Sequence, residues 1–181
     1  MMRWNNFPRS VVFAAVAGLG LVPVLLFAGR FLGQHRALSV YLVGVIMLYV
    51  GGMAPKWSQG IRIAFLAGVL GTAVAILAST VTELAAGGAL VLAICRSVFL
   101  YRSEPGRALL IETGVGGVSL LVAYYLAGPS LLALGLALWA FLLVQSVFFL
   151  IGGVKKRDPE ADGRDPFDVA RARAIELVER I

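Results

Sequence analysis

Six apolar runs, at about 11–29, 38–55, 63–79, 84–101, 108–127 and 130–154, are separated by short polar breaks. That succession limits what the chain can fold into. A helix needs roughly 20 apolar residues to cross the ~30 Å hydrocarbon layer of a bilayer, and each run approaches that length. In lipid, backbone polar groups must be satisfied within the segment itself, so isolated runs of this kind fold as helices. The expected fold is all-α, a polytopic membrane bundle of six transmembrane helices over residues 1–154.

Charge content points the same way. Of 181 residues, 60% are hydrophobic and 14% are charged, and mean hydropathy is +0.89. A soluble domain would carry roughly a quarter charged residues. The net charge is +6, and from Lys155 onward seven bases and seven acids cancel. The excess positive charge therefore flanks the apolar runs, where it orients spans and meets anionic lipid. Nucleic-acid binding needs a basic stripe on a solvated surface, and the chain has none to offer.

The bases also set an expected orientation. With the amino terminus inside, Arg3, Arg9, Lys56, Arg62, Arg102, Arg107 and Lys155-Lys156-Arg157 are cytoplasmic. Only Arg30 and Arg36 then lie outside, and both termini are cytoplasmic. Trp4, Trp57 and Tyr101 fall near the inner boundary and Tyr124-Tyr125 near the outer one. Short loops, the positive-inside bias and small size suggest a bacterial inner membrane. The first run is long for a signal-peptide core and lacks a small-x-small site before Arg30, so it is expected to stay as a helix, kinked at Pro23.

Beyond the runs, residues 155–165 form a polar linker with Pro159 and Gly163. Asp165-Pro166-Phe167-Asp168 is a helix start: an Asp cap, proline at the first helical position, an acid in the first turn. Over 166–181, Phe167, Ala170, Ala174, Val178 and Ile181 form one apolar stripe, which predicts an amphipathic cytoplasmic helix. Such a stripe can dock on a protein partner.

Chemistry-bearing residues are few. The lone His35 sits in a polar break, and the lone Cys95 inside an apolar run allows no internal disulfide and no zinc spacing. No phosphate-binding loop, dinucleotide fingerprint, HExxH or nucleophile elbow occurs, and Gly114-Val115-Gly116-Gly117 inside a span is expected to serve packing. Neither enzyme activity nor a metal or cofactor is expected. Ionisable groups inside a span are costly and point to function by default. Glu83 opens the fourth helix at its outer end, where it can stay solvated. Arg96 and Glu112 each lie eight residues from Glu104, the middle of the loop between helices 4 and 5. An antiparallel hairpin puts them at one depth, each on a small-residue face, and they are expected to pair. Such a pair is either a structural clasp or a gate in which Glu112 protonates during a cycle. Thr72, Gln145 and Ser146, near the middles of helices 3 and 6, suit interhelical hydrogen bonds or a pathway. Helix 6, with Phe141, Phe148 and Phe149, is expected to face lipid over much of its surface.

The odd-numbered helices share a pattern. Each follows an arginine (Arg9, Arg62, Arg107) and is rich in small residues: Ala17-Gly18-Leu19-Gly20, Gly68-Val69-Leu70-Gly71, Gly114-Val115-Gly116-Gly117. Either a hairpin of about fifty residues is used three times, or any compact bundle places Gly and Ala where backbones approach. Three Gly-rich hairpins with short outer turns such as Leu126-Ala127-Gly128-Pro129-Ser130 resemble the HdeD-like bacterial membrane proteins over residues 10–154. That resemblance implies a small six-helix membrane protein associated with acid resistance, and transfers no catalytic residue. Two functions fit these features. One is a non-enzymatic accessory or interaction protein, in assembly or stress response, whose partners are membrane lipid and either another protein or its own copies. The alternative is a small transporter or channel gated at Arg96–Glu112.

Overall fold

The computed structural model describes residues 7–54, 56–100 and 105–147, with backbone alone at 98–100 and 105–109. The described residues form α1 (Phe7–Leu32), α2 (Gln34–Met53), α3 (Trp57–Leu77), α4 (Val81–Ile94), α5 (Pro105–Leu126) and α6 (Leu131–Ser146). A π-helical turn, Cys95–Leu100, continues α4. No strand occurs among the described residues. The linker at 155–165, the helix expected over 166–181, and Trp4, Tyr101, Phe148 and Phe149 lie outside them.

Helices pack in chain order, and α6 returns to α1, so the six close into a ring; α2 also reaches α4 across it. The most extensive contacts are α1 with α6 and α2 with α3, whereas α4 meets α3 and α5 more lightly. Glycine explains the closing contact. A Cβ on Gly135 would lie 2.8 Å from the Gly18 carbonyl oxygen, and one on Gly18 would lie 2.9 Å from the Gly135 carbonyl oxygen. The α1 and α6 backbones meet because neither residue has a side chain, as small residues permit in membrane bundles. Helix α6 is consequently packed rather than mainly outward-facing: Gly135, Ala137, Leu138, Ala140 and Leu142 are buried.

The polar break expected between helices 1 and 2 contracts to one residue. Gly33, at φ +81°, separates α1 from α2, a left-handed backbone that glycine adopts without steric cost. Gln34, His35 and Arg36 therefore open α2 instead of forming a loop. This turn, the α3–α4 link and the α5–α6 link share one end of the ring, here called distal. There the exposed His35 Nε2 lies 3.3 Å from the Ala78 carbonyl oxygen, joining two of the turns.

The outer surface is apolar. Leu19 (76% exposed), Phe31 (88%), Phe65 (70%) and Leu110 (77%) stand outward, an exposure that a water-soluble surface of this extent does not tolerate. Helices α1, α2 and α3 are each long and apolar enough to cross a membrane, and α6 and the Leu110–Leu126 part of α5 are apolar as well.

Candidate functional site: a polar cluster beneath an apolar cavity

Helix α4 starts with a reciprocal cap: Glu83 N–H donates to Thr80 Oγ1 at 3.2 Å, and Thr80 N–H donates to Glu83 Oε2 at 3.2 Å. Ser79 N–H adds a third bond to Glu83 Oε2 at 2.7 Å. Glu83 is thus tied to helix-end donors that would otherwise lack partners. At its other end α4 widens into the π turn, a rare geometry that recurs at functional sites. Within that turn the Ser97 hydroxyl donates back to the Ala93 carbonyl, a side-chain bond that competes with the backbone ladder.

Arg96 projects from the π turn toward α5, where Glu112 lies about two turns from Pro105. Arg96 Nη1 donates to Glu112 Oε1 at 3.2 Å and to Oε2 at 3.4 Å. One nitrogen serves both oxygens, a looser arrangement than a two-nitrogen fork. Both side chains are enclosed, at 0% and 2% exposure. The guanidinium carbon also stands 5.4 Å from the centroid of the Tyr49 ring on α2, within cation–π range.

Tyr49 joins the pair to the rest of the bundle. Its hydroxyl is 3.0 Å from the Ser10 hydroxyl on α1, and its ring is 5.4 Å from that of Phe13. Further along α5, Gln145 Nε2 on α6 donates to Ser119 Oγ at 3.1 Å, while Ser119 donates to the Val115 carbonyl at 2.6 Å. Gln145 Oε1 has no hydrogen-bond partner among the described residues. Counting the π turn with α4, buried polar side chains on five of the six helices thus make these interior contacts, in two groups, with α3 contributing none of them.

A cavity of about 470 Å³ adjoins this cluster, and every helix lines it. Leu21, Ile46, Leu84, Leu92, Leu120 and Leu138 typify its wall, and among its described lining residues only Tyr49, Thr82 and Tyr124 have polar side chains. Tyr49 links the two features: it lies fully buried in the cavity wall, and the Arg96 guanidinium stands over its ring. Lining residues that are also exposed all sit on α4, on α5 or at Ala127 just beyond it, among them Val81 (44%), Leu121 (56%) and Tyr124 (68%). The cavity therefore opens between α4 and α5. These two helices are joined by the ion pair nearer the other end.

Several expectations need correction. Thr72 is exposed and does not line this cavity, because its neighbour Gly71 takes the inward position against Val43. Ser146 donates to Leu143 in its own helix at 2.6 Å, so its bond is local rather than interhelical. Gly114, Gly116 and Gly117 of α5 do not serve packing: a Cβ at any of them would meet nothing within 4 Å. The stripe Phe167, Ala170, Ala174, Val178 and Ile181 lies outside the described residues. Sequence reasoning overlooked Tyr49 and Ser10, which carry no periodic signal. It also overlooked the cap at Thr80-Val81-Thr82-Glu83, whose spacing of a hydroxyl three residues before a glutamate is a readable signature. Comparisons with protein-family models, curated proteins and solved structures find no match to this chain.

Proposed function

We propose that the chain is a non-enzymatic accessory protein of the bacterial inner membrane, spanning it six times with both termini in the cytoplasm. Its membrane domain is a braced body, and its carboxy-terminal helix docks a cytoplasmic partner through Phe167, Ala170, Ala174, Val178 and Ile181. In this reading three helices with ample apolar length cross outright. At 22 residues α5 matches them in length, α4 crosses together with the π turn that continues it, and α6 completes the six. The likeness to HdeD-like proteins belongs to the same proposal and directs it toward stress response.

The observation that carries this reading is the enclosure of Arg96 and Glu112 between α4, α5 and Tyr49. A group that cycles through protonation needs a wet route, and the cavity beside this pair is lined almost wholly by carbon. Held there, the two charges clasp α4 to α5. A test is to crosslink the full chain in cells and identify what is recovered with it. Removing residues 158–181, or placing Asp at Phe167, Val178 and Ile181, should abolish a specific cytoplasmic adduct while membrane insertion persists. Unchanged recovery would refute the docking role.

The ring of helices around a cavity that ends beside an ion pair favours a second reading, a small transporter or channel gated there. Purified protein in liposomes should then move a solute, and Glu112→Gln should stop it. No flux with either protein would remove this reading.

A further inference from the structure

We propose that the cavity is a binding site for one acyl chain of a bilayer lipid, admitted sideways between α4 and α5. This goes beyond the docking role above and does not depend on it.

The mouth identifies the medium. Val81, Leu121 and Tyr124 at the opening are exposed beside an outer surface of Leu, Ile and Phe side chains. What lies against such a surface is hydrocarbon, so what enters the opening first is a lipid tail. The lining excludes the main competitor. A buried water needs two to four polar partners, and the wall offers only Thr82, Tyr49 and Tyr124, with the Tyr49 hydroxyl already bonded to Ser10. An unfilled apolar space forfeits the dispersion contacts of every side chain around it.

Volume separates a lipid tail from a protein helix. A helix about 10 Å across would fill 470 Å³ in about one turn. A hydrocarbon chain about 4–5 Å wide, from carbon contacts of ~4 Å, can run ~15 Å, the depth of one leaflet, within 470 Å³.

The entrance is built into the packing. Helices α4 and α5 are joined by Arg96–Glu112 toward the proximal end. The mouth lies distal to that clasp, where Gly117 has no side chain to close it. The cavity's lining includes Tyr49 but not Arg96 or Glu112, so the charged pair stays outside the space offered to the tail.

The test uses the full chain in phosphatidylcholine nanodiscs doped with a phospholipid carrying a mid-chain diazirine. After irradiation, adducts are located by mass spectrometry. Buried lining residues Leu84 and Leu138 should be labelled, although lipid around the outside cannot touch them. Gly117→Phe narrows the mouth at a position with open space, so it leaves packing intact. It should lower the buried adducts several-fold while labelling of exposed Leu19 and Phe65 is unchanged. Ala85→Phe, which fills the cavity from α4, should act in the same direction. Adducts confined to the outer surface, or buried adducts indifferent to both substitutions, would overturn the proposal. So would a partner protein segment occupying the cavity.

Discussion

Removing one member of the Arg96–Glu112 pair should cost far more than removing both. Glu112→Leu leaves a guanidinium with 0% exposure without its counter-charge, and guanidinium cannot shed its proton. Breaking a buried pair in this way costs about 3–5 kcal/mol. The single-nitrogen geometry at 3.2 and 3.4 Å, together with the retained Tyr49 contact, places Glu112→Leu at the lower end, about 3 kcal/mol. Arg96→Met should cost less, about 1–3 kcal/mol, because a carboxyl can be carried in the protein as the neutral acid. The double variant Arg96→Met/Glu112→Leu replaces the pair with apolar side chains and should fall within ~1 kcal/mol of the parent. The coupling is thus at least about 3 kcal/mol. Thermal unfolding in one detergent, followed by retention of the monodisperse peak, reads the three variants against the parent. Single losses that simply add in the double variant would refute the pairing as the brace between α4 and α5. The reciprocal exchange Arg96→Glu/Glu112→Arg should recover part of either single loss, less the Tyr49 contact.

Glycines in similar sequence settings should respond in opposite ways. Gly135→Ala forces its Cβ against the Gly18 carbonyl, 2.8 Å away, and should destabilise the bundle by about 1–3 kcal/mol; Gly114→Ala enters open space within a helix and should stabilise by about 0.4–1 kcal/mol, both read by the same melting assay. Thr80→Ala removes the acceptor of the α4 cap and should lower stability by about 0.5–2 kcal/mol, with amide exchange quickening at Glu83 before it changes in α1. Tyr49→Phe deletes the hydroxyl bonded to Ser10 and should cost about 1 kcal/mol, with the ring kept so that the Arg96 contact survives.

How far the sequence discloses this molecule depends on the range of the interaction involved. The six helices coincide with the apolar runs because hydrocarbon length is a local property. The Arg96–Glu112 encounter was foreseeable because equal spacing from Glu104 fixes depth in a hairpin whatever the neighbouring helices do. The ring closure was not, since it turns on Gly18 meeting Gly135 across more than a hundred residues. Gly114, Gly116 and Gly117 misled because the same composition serves close packing or an open surface, and only the assembled bundle decides which. The cavity follows from α4 and α5 joining at one end and parting at the other, which no local pattern records. Tyr49 lies inside an apolar run with nothing in the sequence to single it out until α1, α2 and α4 are assembled around it. Thr80 and Glu83 were legible, and the capping spacing should have outweighed the simpler view of a solvated acid.

A bundle that crosses the bilayer six times must keep its Gly33, Ser79 and Pro129 turns on one side. Single cysteines at Gln34, Ser79 and Pro129, and at Lys56 on the opposite side, in a Cys95→Ala background, test this directly in intact cells. A membrane-impermeant maleimide should label the three distal positions from outside, and Lys56→Cys only after the membrane is opened. Labelling of Lys56→Cys together with any distal site before lysis would contradict the account, as would protection of one distal turn while the other two react.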